Sequence, residues 1–166
     1  AARGKHADLL TPDLRDRGVV IHVRRGDYAS ARNADFHGLL GPRYYAAALT
    51  QVRQNAPNCV TGPIVLFSDE PATASAMLSD IGDGQQHMLI EPPQQSHPME
   101  SVMLLARASA IVTANSSFSW WGAWLAGPAA TVVSPSPWFK GARHDEGDLR
   151  PSSWLTARAG FLDHSR

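Results

Sequence analysis

Arg24-Arg25-Gly26-Asp27 ends the run VVIHVRRGDY (residues 19–28), where an apolar stretch turns basic within two residues. Three other polar clusters follow apolar runs in the same way: Ser68-Asp69-Glu70, Asn115-Ser116-Ser117 and Ser134-Pro135-Ser136. Together they offer the parts of an anion site. Two arginines supply fixed positive charge, and Gly26 lets backbone approach closely. Hydroxyls at the start of a helix stand where unpaired N–H groups and the macrodipole favour a phosphate. Neither a glycine-rich dinucleotide fingerprint nor a P-loop is present, so a phosphate would be held by arginines and a serine-tipped helix.

The elements that must carry these clusters are legible from periodicity. In VVIHVRR (19–25) alternation puts Val19, Ile21 and Val23 on one face and Val20, His22 and Arg24 on the other, as expected of a buried strand. PRYYAAALTQVRQNA (42–56) begins with Pro42, which suits a first helical turn, and places Tyr45, Leu49 and Val52 on one face. Further strands are expected at 64–70, 87–91, 110–117 and 130–139, the last stopping at its prolines. Helices are expected at 71–81, 99–109 and 118–127, with the proline-bearing loop PPQQSHP ahead of the second of these. This alternation predicts an α/β domain, a mainly parallel, Rossmann-like sheet with helices on both faces. In such sheets ligands bind beyond the carboxyl ends of strands, where all four polar clusters should converge.

Composition narrows the classes. The 166 residues are 43% hydrophobic and 18% charged, enough for one domain, 1–166, with its own core. Fifteen basic and fifteen acidic residues cancel, which argues against nucleic acid as a partner and requires any anion to be met locally. The lone Cys59 leaves no intramolecular disulfide and no multi-cysteine metal site. No apolar run reaches spanning length and no amino-terminal stretch reads as a signal peptide, so the chain is expected to be soluble.

HVRRGDY (22–28), FHGLLGPRYYAAAL (36–49), FSDE (67–70), IVTANSSFSWWGAWL (111–125), SPSPWF (134–139) and LRPSSWL (149–155) resemble, in order and spacing, the motifs of the GDP-fucose-dependent α-1,2-fucosyltransferases. The resemblance covers almost the whole chain, and the NSSFSWWGAWL block is its most specific part. It implies the carboxyl-terminal, donor-binding half of a GT-B-type glycosyltransferase. The implied reaction is an inverting, metal-independent transfer of L-fucose from GDP-fucose to the 2-hydroxyl of a galactose-terminated glycan. No cofactor and no metal site are expected beyond the donor. Bacterial members of the family imply a cytoplasmic or membrane-peripheral protein, animal members the Golgi lumen.

Carried onto this chain, the resemblance puts Arg24 on the β-phosphate with His22 near the nucleotide, and puts Ser116 and Ser117 on phosphate oxygens while Asn115 braces the turn. Arg25 serves either the phosphate or Asp69 as an ion-pair partner. Asp27 is the leading candidate for the base that takes the acceptor proton, with His37 second. Two departures stand out. Where the family commonly has Glu-Asp-Leu this chain has Glu100-Ser101-Val102, so the aspartate expected to read guanine is a serine and Glu100 is its candidate substitute. The family's amino-terminal half has no counterpart, so the chain is expected to be a fragment.

Other readings attach to the same residues. A catalytically silent nucleotide-sugar binding module fits a chain without its other half, and Arg25-Gly26-Asp27 is formally an adhesion tripeptide. Asn115-Ser116-Ser117 is a formal glycosylation sequon, but its place between a buried strand and a helix argues against access. Asp69-Glu70 could be taken for a metal-binding pair; an arginine partner is the expectation. Trp120, Trp121 and Trp124 are expected to pack in the core rather than to form a carbohydrate platform.

Overall fold

The computed structural model describes residues 15, 18–62, 64–79, 81, 87–90, 98–141 and 145–163. Its six strands are β1 (Val19–Val23), β2 (Ile64–Ser68), β3 (His87–Ile90), β4 (Ala110–Val112), β5 (Thr131–Ser136) and β6 (Leu155–Arg158). The helices are α1 (Ala31–Ala34), α2 (Pro42–Asn55), α3 (Pro71–Leu78), α4 (Pro98–Leu105) and α5 (Ser117–Ala126). Every strand pairing is parallel, in the order β3-β2-β1-β4-β5-β6. That is the doubly wound order in which the chain reverses direction between β1 and β4, leaving a crevice at their carboxyl ends.

Alternation along β1 divides the core as its sequence requires. Val19, Ile21 and Val23 meet Tyr44, Tyr45, Ala48, Leu49 and Val52 of α2 together with Ala74 and Leu78 of α3. Val20 on the other face joins Phe67, Leu105, Ile111, Ala123 and Val132, under α4 and α5. Each such fully buried aliphatic or aromatic side chain contributes roughly 1.5–3 kcal/mol, so the two clusters clamp β1 from both sides. A strand held this firmly fixes where Arg24 emerges. Pro42 opens α2 behind Gly41, and Pro57 follows its end, so the helix stops where a proline cannot continue it.

Four expectations need correction. β4 is only Ala110–Val112 rather than a strand to residue 117; Thr113 still donates its N–H to Val133 O at 3.0 Å, and the chain then turns. β5 runs through Pro135, which pairs with Ala157 of β6 where β4 has already ended, so the missing N–H interrupts no central ladder. β6 was not expected at all. The largest correction concerns α5. Its buried face is Ser119, Gly122 and Ala123, and a Cβ on Gly122 would stand 2.7 Å from Leu105 Cβ, so a small-residue face sets how closely α5 lies on α4. Trp121 and Trp124 therefore point away from the sheet, 53% and 52% exposed. Of the three tryptophans of α5, Trp120 alone is partly covered, stacking on Trp124 with centroids 5.3 Å apart and donating from Nε1 to Leu149 O at 2.6 Å.

Candidate functional site

β1 delivers Arg24 to the carboxyl edge of the sheet, where its guanidinium is gripped by two carboxylates. Nη1 lies 2.7 Å from Asp69 Oδ2, at the end of β2, and Nη2 pairs with Asp27 Oδ1. Asp69 is held a second time, its Oδ1 accepting from the Arg25 backbone N–H at 2.9 Å. Gly26 makes this possible. Its φ is +22°, and a Cβ there would come within 2.5 Å of Asp69 Oδ2. The glycine's space is thus taken by a carboxylate, where the sequence had suggested a ligand.

Asp27 lies in a short turn over Gly26–Ala29, whose backbone is pinned at Asp27 O by Ser30 Oγ at 2.7 Å and Asn33 Nδ2 at 3.0 Å. The next residue, Tyr28, lies under the Arg24 guanidinium, 5.4 Å from ring centroid to Cζ, and donates its hydroxyl to Asn115 O at 3.3 Å. Burial raises the Tyr28 pKa; Arg24 opposes that shift and Asp27 adds to it. Tyr28 also stacks on His37 with centroids 4.4 Å apart. The His37 pKa is lowered by burial, with Asp27 pulling the other way.

Beyond β4 the chain folds across this cluster. The Asn115 side chain is buried, and its Nδ2 donates to His37 O at 2.7 Å and Gly38 O at 3.2 Å. Gly38, at φ +74°, lies where a Cβ would strike Phe161 Cδ1 at 2.5 Å. Ser116 then caps α5, its Oγ accepting from Phe118 N at 3.3 Å, and Ser117 opens the helix with its side chain exposed. α5 thus begins two residues after Asn115, whose carbonyl holds the Tyr28 ring under Arg24, and its amino end is a second source of positive potential. His22 lies beneath, 3% exposed between Phe67 and Phe118. Its Nδ1 is buried without a partner, and burial followed by the Arg24 charge lowers its pKa to about 3, so the ring is neutral.

The sequence profile described as glycosyl transferase family 11 matches residues 5–158. The chain belongs to that family.

Among curated proteins it is 33% identical over 140 residues to an alpha-1,2-colitosyltransferase of Escherichia coli, covering 82% of this chain and 46% of that protein. It is 30% identical over 137 residues to the O-antigen biosynthesis glycosyltransferase WbnK of E. coli, covering 81% of this chain and 43% of that one. The chain therefore spans about half the length of the curated relatives it matches. Among solved structures, E. coli ADP-heptose lps heptosyltransferase II gives a TM-score of 0.48 at 17% identity, covering 85% of this chain and 38% of that one. E. coli heptosyltransferase WaaC with ADP gives 0.49 at 13% identity, covering 92% and 40%.

In this family 11 chain the structure gathers Arg24, Asp27, Asp69 and Asn115 into one cluster with Tyr28 and His37, while Ser116 and Ser117 border it. The choice left open for Arg25 resolves in an unexpected way: Asp69 takes the Arg25 backbone N–H and the Arg24 guanidinium, while Arg25 Nε is buried without a partner. The arginine expected beside Asp69-Glu70 is thus Arg24. Asn115 is buried with its amide engaged, which keeps the sequon from solvent. Glu100 is exposed in the first turn of α4, whereas Ser101 is buried.

Sequence reasoning missed Tyr28, which only a cation over its ring reveals. It also missed Glu146 and Arg150. Glu146 Oε1 accepts from Trp138 N at 2.8 Å and Phe139 N at 3.2 Å, while Arg150 Nη1 bonds Glu146 Oε2 at 2.8 Å and Pro135 O at 3.2 Å. That network ties LRPSSWL to SPSPWF, and the only signal for it was that both motifs carry turn residues and opposite charges lie nearby. A cavity of about 690 Å³ lined by Asn55, Cys59, Arg107 and Thr131 opens at the amino edge of the sheet, across from Arg24, and is not this site.

Proposed function

We propose that the chain is the donor-binding half of a GT-B-type α-1,2-fucosyltransferase, moving L-fucose from GDP-fucose to the 2-hydroxyl of a galactoside with inversion. The observation that carries this is the Arg24 guanidinium at the β1–β4 switch point, on the same sheet edge as the N-terminus of α5. As the bond between fucose C1 and the β-phosphate oxygen breaks, its electron pair stays with GDP and the sugar carbon becomes cationic. Arg24 and the α5 N–H groups, with Ser117 Oγ, meet that growing negative charge and stabilise the transition state more than the ground state. The acceptor oxygen bonds C1 from the opposite face, and its proton passes to the Asp27 carboxylate. His22, neutral and buried, shapes the floor rather than exchanging protons. Glu100 is the acidic group for the guanine edge, because Ser101 is turned inward.

No helix among the described residues is long and apolar enough to cross a membrane. With bacterial relatives, this supports a cytoplasmic or membrane-peripheral enzyme whose amino-terminal half supplies the acceptor side of the cleft. A colitosyl donor is the second reading, favoured by the 33% relative; it asks the same of the phosphate site and differs at the sugar. The deciding assay offers the chain, joined to a family amino-terminal half, GDP-fucose or GDP-colitose with a β-galactoside, with chelator and then with added Mg²⁺. We expect fucosyl transfer unaffected by chelator. Transfer of colitose alone selects the second reading, dependence on Mg²⁺ overturns metal independence, and donor binding without transfer of either sugar leaves a silent binding module.

A further inference from the structure

Arg24 meets any phosphate with its positive charge already shared between two carboxylates. Each terminal nitrogen gives one N–H, Nη1 to Asp69 and Nη2 to Asp27, so a phosphate competes with both carboxylates for the same cation. We infer that Asp27 is a built-in competitor for the donor phosphate: it occupies Arg24 while the site is empty, and the incoming diphosphate displaces its side chain. The inference rests on the donor-binding reading above and adds to it an order of events.

The two carboxylates are not equivalent. Asp69 is held at both oxygens, by Arg24 and by the Arg25 backbone N–H, and its side chain is 24% exposed. Among the described residues the Asp27 carboxylate has no hydrogen-bond or ion-pair partner except Arg24, and its side chain is 57% exposed. The weaker anchor yields first, because an exposed carboxylate regains water on leaving whereas Asp69 would leave a backbone N–H unpaired. The Asp27 backbone does not need to move. Ser30 and Asn33 hold its carbonyl, so rotation about the side-chain bonds is enough.

The charge balance gives the displacement its direction. Arg24 and Arg25 are cancelled by Asp27 and Asp69, so the empty site is locally neutral and a diphosphate meets no net attraction beyond the α5 terminus. Rotating Asp27 out restores a positive centre for the phosphate. The same rotation frees a carboxylate beside the donor, at the moment when an acceptor hydroxyl needs a base. Asp27 therefore becomes available for proton transfer only with donor bound.

The test is calorimetric titration of the chain with GDP and with guanosine, for wild type, Asp27→Asn and Arg24→Ala, with each melting temperature recorded. Removing the Asp27 charge is expected to tighten GDP binding roughly three- to tenfold, the worth of an exposed ion pair plus a relieved repulsion, and to leave guanosine binding unchanged. Folded Asp27→Asn that binds GDP equally or more weakly overturns the competitor role while leaving the donor site standing, provided Arg24→Ala loses GDP. Wild type that binds no GDP overturns both. Should Asp27→Asn fail to fold, the ¹³Cγ resonance of Asp27 in wild type decides: it is expected to move on GDP addition while that of Asp69 holds, and a still Asp27 resonance in the GDP complex overturns the displacement.

Discussion

Asn115 Nδ2 reaches His37 O at 2.7 Å across 78 residues of sequence, so the turn after β4 and the loop ahead of α2 are one unit. A second bond from the same amide, to Gly38 O at 3.2 Å, doubles the tie. The Asn115 amide thus acts on the loop that carries His37 rather than on a ligand.

Replacing Asn115 by alanine strips a donor from two backbone carbonyls, one of them deeply buried. We expect a loss of about 1–3 kcal/mol, and a larger loss for Asn115→Asp, whose carboxylate would face two carbonyl oxygens. Denaturant unfolding of both variants measures it. Wild-type stability in Asn115→Asp would show that the tie carries no energy.

Gly26→Ala puts a methyl group where Asp69 Oδ2 now lies, at a positive φ. The methyl pushes the carboxylate away from both the Arg25 N–H and Arg24. Stability is expected to fall by about 1–2 kcal/mol from strain, and GDP affinity by more than that, since Arg24 loses its fixed partner. Comparing melting temperature with titration separates the two effects; unchanged GDP affinity would mean that Asp69 does not orient Arg24.

The His22 pKa is lowered from 6.5 to about 3, so the unfolded chain takes up a proton that the folded chain refuses. The stability given by neutral His22 is fully present above about pH 6.5. It is lost as pH falls, at up to roughly 1.4 kcal/mol per unit until about pH 3. His22→Phe fits between the same two aromatic rings and removes that slope, so its unfolding free energy should fall less between pH 6.5 and 4.5 than that of wild type. Parallel profiles would show that His22 titrates normally.

How much of this could be read without coordinates depends on the range of the interaction. Alternation in VVIHV and the apolar face of α2 are local, and both gave the right elements and faces. The convergence of Arg24, Asp69 and Asn115 followed from a parallel sheet, because all three lie just beyond the carboxyl ends of strands. The partner of Asp69 did not, since choosing between adjacent arginines requires the backbone geometry at Gly26. The outward turn of Trp121 and Trp124 is not legible from hydrophobicity, because it depends on Gly122 presenting the small face of α5 to Leu105. β6 was missed because a four-residue edge strand leaves little periodicity.

The central claim is that Arg24 is the phosphate anchor of a donor site. Calorimetric titration of wild type and Arg24→Ala with GDP-fucose tests it most directly. We expect binding by wild type that weakens at least tenfold in Arg24→Ala, the value of a charge-assisted hydrogen bond, with both proteins folded. Equal affinity in the two would contradict it.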